Sequence, residues 1–118
     1  MNLKNYKFVY NAAAYFAAAE KYPDGIMQAL TLPGKQGFEA LCWALEELST
    51  QGELVRRHMG EDRAAPIKAE IAARMLMPHE IADAKNIVFG AIIRGVQGPT
   101  DDEVDEVIAE NLKKKEPD

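Results

Sequence analysis

Apolar positions along this chain recur mostly every three or four residues, the spacing of a helix that buries one face. The longest run is Phe38, Leu41, Leu45, Leu48, Gly52, Val55 and Met59, with steps of 3, 4, 3, 4, 3 and 4. It predicts one helix over Lys35–Met59, about 36 Å long at 1.5 Å per residue. Gly60 stands where a left-handed stop belongs, and Arg56, Arg57 and His58 put positive charge in the last turn. Ala40, Trp43 and Ala44 give the helix a second apolar side. It is therefore expected to be the spine, with neighbours on both sides and Trp43 either in the core or anchoring a partner. Gly52 falls on the stripe. An interior glycine costs about 1 kcal/mol against alanine, so it predicts a close approach of another element or a break into two helices.

The flanking segments are shorter. Asn11 is placed to cap a helix starting at Ala12, with Tyr15, Phe16, Ala19 and Tyr22 on its heavier side and Pro23 as its stop. Asp24 is expected to cap a short piece carrying Ile26, Met27 and Leu30. Pro66 is expected to open a helix with Ile67, Ile71 and Met75 on one face. Pro78 is expected to open another. There Ile81, Ala84, Val88, Ala91 and Ile92 form a face that Phe89, Ile93 and Val96 extend nearly all round, so this helix should be the most buried. Thr100-Asp101-Asp102-Glu103 reads as a capping box before a helix lined by Val104, Val107, Ile108 and Leu112. Residues 3–10 differ: Tyr6, Phe8 and Tyr10 alternate with Lys7 and Val9, as in a strand. A lone strand leaves its backbone groups unpaired. The segment therefore either pairs with another copy of the chain or lies as an extended arm on the core. The expected fold is all-α, a single compact domain over residues 1–118 with about five helices. Residues 1–11 form its N-terminal strand or arm, and residues 100–118 an acidic C-terminal helix and tail.

Composition narrows the function classes. At 118 residues and 47% hydrophobic, the chain suits one core. Its single cysteine, Cys42, allows neither an internal disulfide nor a cysteine-rich zinc site. No apolar run approaches the ~20 residues that span a bilayer, and residues 1–7 lack the apolar stretch of a signal peptide. A cytoplasmic protein without membrane contact is expected. The net charge of −5 lies wholly in residues 101–118, with eight acids and three lysines. Such a balance disfavours nucleic acid as a partner.

Candidate chemistry is sparse. His58 and His79 form no ligand pair, and Glu80 does not face its neighbour His79 on a helix. Cys42, on the stripe side of the long helix, reads as a small buried hydrophobe. Glu46-Glu47, Glu61-Asp62 and Asp101-Asp102-Glu103 sit in surface-like settings without an apolar pocket to raise a pKa. Gly34-Lys35-Gln36-Gly37 lacks the form of a phosphate loop. No enzyme activity, cofactor or metal is expected. Arg56-Arg57, with Arg63 nearby, either completes a helix end or contacts an acidic partner.

The order of motifs resembles one family. An aromatic segment ending in Tyr-Asn (Lys7-Phe8-Val9-Tyr10-Asn11) leads into a helix. Then come a Leu-x-Trp-Ala centre (Leu41-Cys42-Trp43-Ala44-Leu45), Gly52-Glu53-Leu54-Val55-Arg56-Arg57, a proline-led helix and an acidic tail. This layout, over most of residues 3–96, resembles the tail assembly chaperones of long-tailed bacteriophages and prophages. The resemblance implies a small, mainly helical, non-enzymatic and homo-oligomeric protein. It would bind the apolar tape measure protein and keep it soluble while the tail tube polymerises around it. Binding would then use apolar helix surface rather than a pocket. The family supplies no binding motif to carry over, and surface logic selects Trp43, Leu54, Val55 and Arg57 as partner-binding candidates. Two other readings remain open. One is a small helical DNA-binding transcriptional regulator with a helix-turn-helix around Met77-Pro78, which the acidic balance disfavours. The other is another phage tail or head–tail component.

Genes of that family commonly make a longer product by ribosomal frameshifting. Lys113-Lys114-Lys115 requires an A-rich run of codons, a plausible slippery site beside an exposed tail. The expected outcome is an overlapping frame extending the chain from about residue 113. Stop codons closing both alternative frames just after the lysine codons would refute it.

Overall fold

Five α-helices are formed in a computed structural model that describes residues 1–61 and 64–98. An N-terminal arm containing one 3-10 turn (Leu3–Asn5) leads into α1 (Ala12–Lys21). There follow α2 (Ile26–Thr31), α3 (Gly34–His58), α4 (Ala69–Met75) and, after a second 3-10 turn (Pro78–Glu80), α5 (Ile81–Gln97). The domain is all-α, as the periodicity predicts. The capping box at Thr100, the acidic C-terminal helix and Arg63 lie outside the described residues.

The spine is α3, unbroken through Gly52. Ala40, Leu41, Cys42, Ala44, Leu45 and Leu48 are buried along it, and α1, α2, α4 and α5 all pack on it. Its end is closed by the double hydrogen bond of a left-handed cap: Gly60 (φ 77°) donates to the Arg57 carbonyl at 3.1 Å and Glu61 to that of Arg56 at 2.9 Å. The apolar stripe leaves the core after Gly52. Val55 is half-buried and Met59 exposed, because the last turns run past the neighbouring helices. This helix, not α5, has the most extensive burial. In α5 the face of Ala84, Val88, Ala91 and Ile92 is buried as expected. Ile93 and Val96 are exposed, since only one side of α5 meets α3.

Three further expectations are corrected. In α1, with Asn11 as its cap as expected (Ala14 N–H to Oδ1, 3.0 Å), the buried residues are Ala14 and Ala18, while Tyr15 and Phe16 face outward. Two alanines let α1 lie close against α3 in a way its aromatic side would prevent. The cap of α2 is Gly25 rather than Asp24, and no side chain bonds there. The fourth helix, α4, begins at Ala69 rather than at Pro66. Residues 64–68 are extended, Ile67 is buried before the helix starts, and α4 buries Ala72 and leaves Ile71 and Met75 exposed.

Of the two readings of residues 3–10, the structure takes the arm. Residues 7–11 run without regular secondary structure between α3 and α5. The Met1 ammonium binds Glu80 Oε2 at 2.8 Å, and Glu80 Oε1 accepts from the Met77 N–H at 2.8 Å, so the arm starts at the beginning of α5. It ends at the last turn of α5, where the Tyr10 carbonyl occupies the space a Cβ on Gly95 would fill. Midway, the Val9 N–H donates to the Leu48 carbonyl at 3.1 Å, and the Lys7 carbonyl sits where a Cβ on Gly52 would be. Gly52 thus marks a close approach, and the element approaching is the arm.

Gly52→Ala should cost about 1–3 kcal/mol, the usual penalty for overpacking, and Gly52→Leu more. Gly90→Ala is the matched control: a Cβ there meets only the flexible end of Arg94 at 3.4 Å. It should stabilise by roughly 0.5–1 kcal/mol through helix propensity. Urea denaturation measures both. Equal effects of the two alanine substitutions would refute the close approach.

Candidate functional site

A polar ladder on α3 determines which surfaces the fold leaves open. Glu46, Ser49 and Glu53 are spaced three and four residues apart, so they share one side of the helix beside the apolar stripe. Each accepts backbone N–H groups from the segment that follows α3. Glu46 Oε1 takes that of Ala69 at 2.7 Å, Ser49 Oγ that of Ile67 at 2.8 Å, and both Glu53 oxygens that of Ala64 at 2.9 Å. Residues 64–69 therefore run antiparallel to α3, held by side chains in place of a partner strand. Ala69 is the first residue of α4, and Lys68 before it offers no side-chain cap. Glu46 supplies that cap from another helix, with its charge at the favourable end of the dipole. The ladder is why Pro66 does not open a helix.

Glu53 is buried, and Arg57 Nε donates to its Oε1 at 3.0 Å. The Ala64 hydrogen bond, with lesser help from the Arg57 hydrogen bond and the charges of Arg57 and Arg56, holds its carboxyl below the ordinary carboxylate range against the opposing effect of burial. Sequence reasoning missed this residue. The one signal was its place with Glu46 and Ser49, four residues on from Ser49 and adjacent to the stripe.

The four partner-binding candidates do not form one patch. Trp43 is half-buried and meets Tyr22 edge-on, with ring centroids 5.5 Å apart, fastening the end of α1 to α3. Leu54 is half-exposed, and lies about 16 Å further along the helix axis. Val55 is half-buried on a different side of the helix. Arg57 is exposed but tied to Glu53.

Larger apolar surface lies elsewhere. On α1, Tyr15 and Phe16 are 51% and 68% exposed, and their rings meet edge-on at 5.1 Å. Ile71 and Met75 stand one turn apart on α4, and Met77 follows, all exposed. Ile93 and Val96 stand three residues apart on α5, with half-buried Phe89 one turn before Ile93. These are the outward faces of three helices that each bury their opposite side.

His58 and His79 are both exposed, and Cys42 is buried, its thiol pushed up by desolvation and then by the Glu39 charge. Among the described residues no group of His, Cys, Asp and Glu could hold a metal ion, and no helix is long and apolar enough to cross a membrane. Comparison with protein-family models, curated proteins and solved structures finds no match to the chain.

The Glu53 contacts carry a sign. A carboxyl lowered in the folded state from its ordinary value of 4.5 stabilises the fold above that pH and loses this effect as pH falls through the folded value. Glu53→Gln should therefore lower the thermal midpoint at pH 7, and the gap to the parent should narrow as the pH drops below 4.5. Glu80, lowered first by its hydrogen bond to the N-terminus and then by that from Met77, has the same sign and remains in the variant. Calorimetry from pH 7 to pH 3 measures the gap, and a constant gap would refute the assignment.

Proposed function

We propose that this chain is a non-enzymatic, cytoplasmic tail assembly chaperone of a long-tailed phage or prophage. It holds apolar helical segments of the tape measure protein against its own exposed helix faces until the tail tube closes around them. The observation that carries this reading is the set of apolar side chains left outside a well-filled core: Tyr15 and Phe16 on α1, Ile71 and Met75 on α4, Ile93 and Val96 on α5. Their three- and four-residue spacing suits a helical partner, and exposed methionines such as Met59, Met75 and Met77 adapt to partners of varied sequence. The order of motifs along residues 3–96 supports the same reading, and the faces also offer a route to homo-oligomers.

The test is co-expression with the long helical reading frame expected immediately downstream of the gene. The tape measure protein should be soluble and co-purify with the parent chain. Ile93→Glu/Val96→Glu should lower its soluble fraction several-fold while leaving the helical circular dichroism of the chaperone unchanged. A tape measure protein that stays insoluble beside the parent chain would refute the reading. Specific, salt-dependent shifting of phage or bacterial DNA would instead favour the transcriptional regulator.

A further inference from the structure

Between the arm and α5 lies an open groove of about 670 Å³. Phe8 and Ile87 give it apolar walls, and Lys4, Lys7 and Arg94 bring three cations to it. Among the described residues no acid lines it, and no hydrogen bond or ion pair engages those three side chains. Asp83, the one acid of α5, stands a turn before Ile87 and outside the lining. Residues 1–98 carry eleven cationic and eleven acidic residues, so the groove is a local positive site on a balanced body.

The path of the arm fixes where the cations stand. The Lys7 carbonyl meets Gly52 and the Val9 N–H meets the Leu48 carbonyl, four residues apart on α3. Two extended residues rise about 6.6 Å and four helical ones about 6 Å, so the arm is extended here. Tyr10 lies against Gly95. Three residues back, roughly 10 Å, Lys7 comes level with the middle of α5 near Val88 and Phe89. Arg94 reaches nearly the same level from the helix side, its Nη1 lying 3.4 Å from where a Cβ on Gly90 would be. Lys7 and Arg94 thus flank the middle of the groove, and Lys4 stands toward the beginning of α5.

Successive peptide groups of an extended chain face opposite sides. The Lys7 carbonyl and Val9 N–H point to α3, and the Tyr10 carbonyl to α5. The N–H and carbonyl of Phe8 therefore share the side of Tyr10 and face the groove. Among the described residues neither has a hydrogen-bond partner. The arm is thus a strand edge with no strand beside it, a template for a second extended chain. The arm of another copy is a poor match, since it brings Lys4 and Lys7 to a site already cationic.

We propose that an extended acidic segment of a partner protein binds in this groove as a strand beside the arm. Its backbone pairs with the N–H and carbonyl of Phe8. Its side chains alternate, apolar ones against Phe8 and Ile87 and carboxylates toward Lys7, Arg94 and Lys4. The site is separate from the exposed helix faces and does not rest on the chaperone reading.

The probe is the peptide acetyl-Glu-Val-Glu-Val-Glu amide, titrated into isotope-labelled full chain and followed by amide shifts. The shifts should concentrate at residues 4–10 and 86–95, and the Phe8 amide should exchange with solvent several-fold more slowly. Affinity should fall several-fold in Lys7→Gln/Arg94→Gln, and also in about 0.5 M NaCl, where charges are screened within a few Å. The same peptide with glutamine for glutamate should not bind. Versions N-methylated at every valine or at every glutamate block opposite strand edges, so one should lose binding and the other keep it. The salt and peptide arms use the unaltered protein and decide the matter if the substitutions disturb the fold. Absent binding, shifts centred elsewhere, equal affinity of the glutamine peptide or equal behaviour of the two methylated peptides would overturn the proposal. Tighter binding of a single-stranded oligonucleotide at the same amides would overturn it in favour of nucleic acid. Shifts of those amides with chain concentration alone would do so in favour of a second copy.

Discussion

A backbone laid against a helix backbone sets the packing of this molecule. The arm passes Gly52 of α3 and Gly95 of α5 so closely that a Cβ at either position would overlap its carbonyls. Val9 donates to the Leu48 carbonyl, which lies in the interior of α3. A helix has few backbone groups to offer a passing chain, so this contact requires a side of α3 that is bare at one turn. The arm then fixes what surrounds it. Its beginning is tied to Glu80, its end to the last turn of α5, and Asn11 links the cap of α1 to Gln51 on α3. The arm thus touches both α3 and α5, which also pack directly on each other.

The same helix organises the second irregular segment by a different device. Residues 64–69 have no strand beside them, and the N–H groups of Ala64, Ile67 and Ala69 are taken up by Glu53, Ser49 and Glu46. Helix α3 thus serves three purposes. Its apolar stripe packs side chains up to Leu48 and is bare at Gly52 for the arm, and the row beside it carries acceptors for residues 64–69. Glu53 illustrates the electrostatic cost and its remedy. A buried carboxylate is unfavourable alone, and here the Ala64 N–H and Arg57 hold it in the charged form.

Away from α3, large apolar side chains are exposed on the outer faces of the shorter helices. Tyr15 and Phe16 on α1, Ile71 and Met75 on α4, and Ile93 and Val96 on α5 are exposed because each helix meets the spine on one side only. That geometry gives the proposed chaperone function its physical content. Several short apolar faces around one rigid core can engage a long helical partner at many points with modest affinity at each.

The sequence alone determined the elements where local chemistry acts without competition. The stripe from Phe38 to Gly52 specified α3, Asn11 specified the start of α1, and Gly60 with its basic last turn specified the end of the long helix. Periodicity also specified the buried face of α5. It failed where two faces of a helix were both plausible. In α1 the aromatic side looks heavier, and only the distance available beside α3 selects Ala14 and Ala18 for the interior. Pro66 is a sound helix opener locally, yet Ser49 and Glu53, far away in sequence, hold residues 64–67 extended. The candidate site divides the same way. Trp43 and Arg57 stood out by residue type, but their contacts with Tyr22 and Glu53 arise in the folded chain. Gly52 was conspicuous from its position alone, whereas the identity of its neighbour was decided by the path of an arm more than forty residues away. Hydrophobic spacing reports which residues of a segment can be buried together. Which of them are buried depends on the volume and the hydrogen-bonding groups that other segments bring, and those exist only in the tertiary structure.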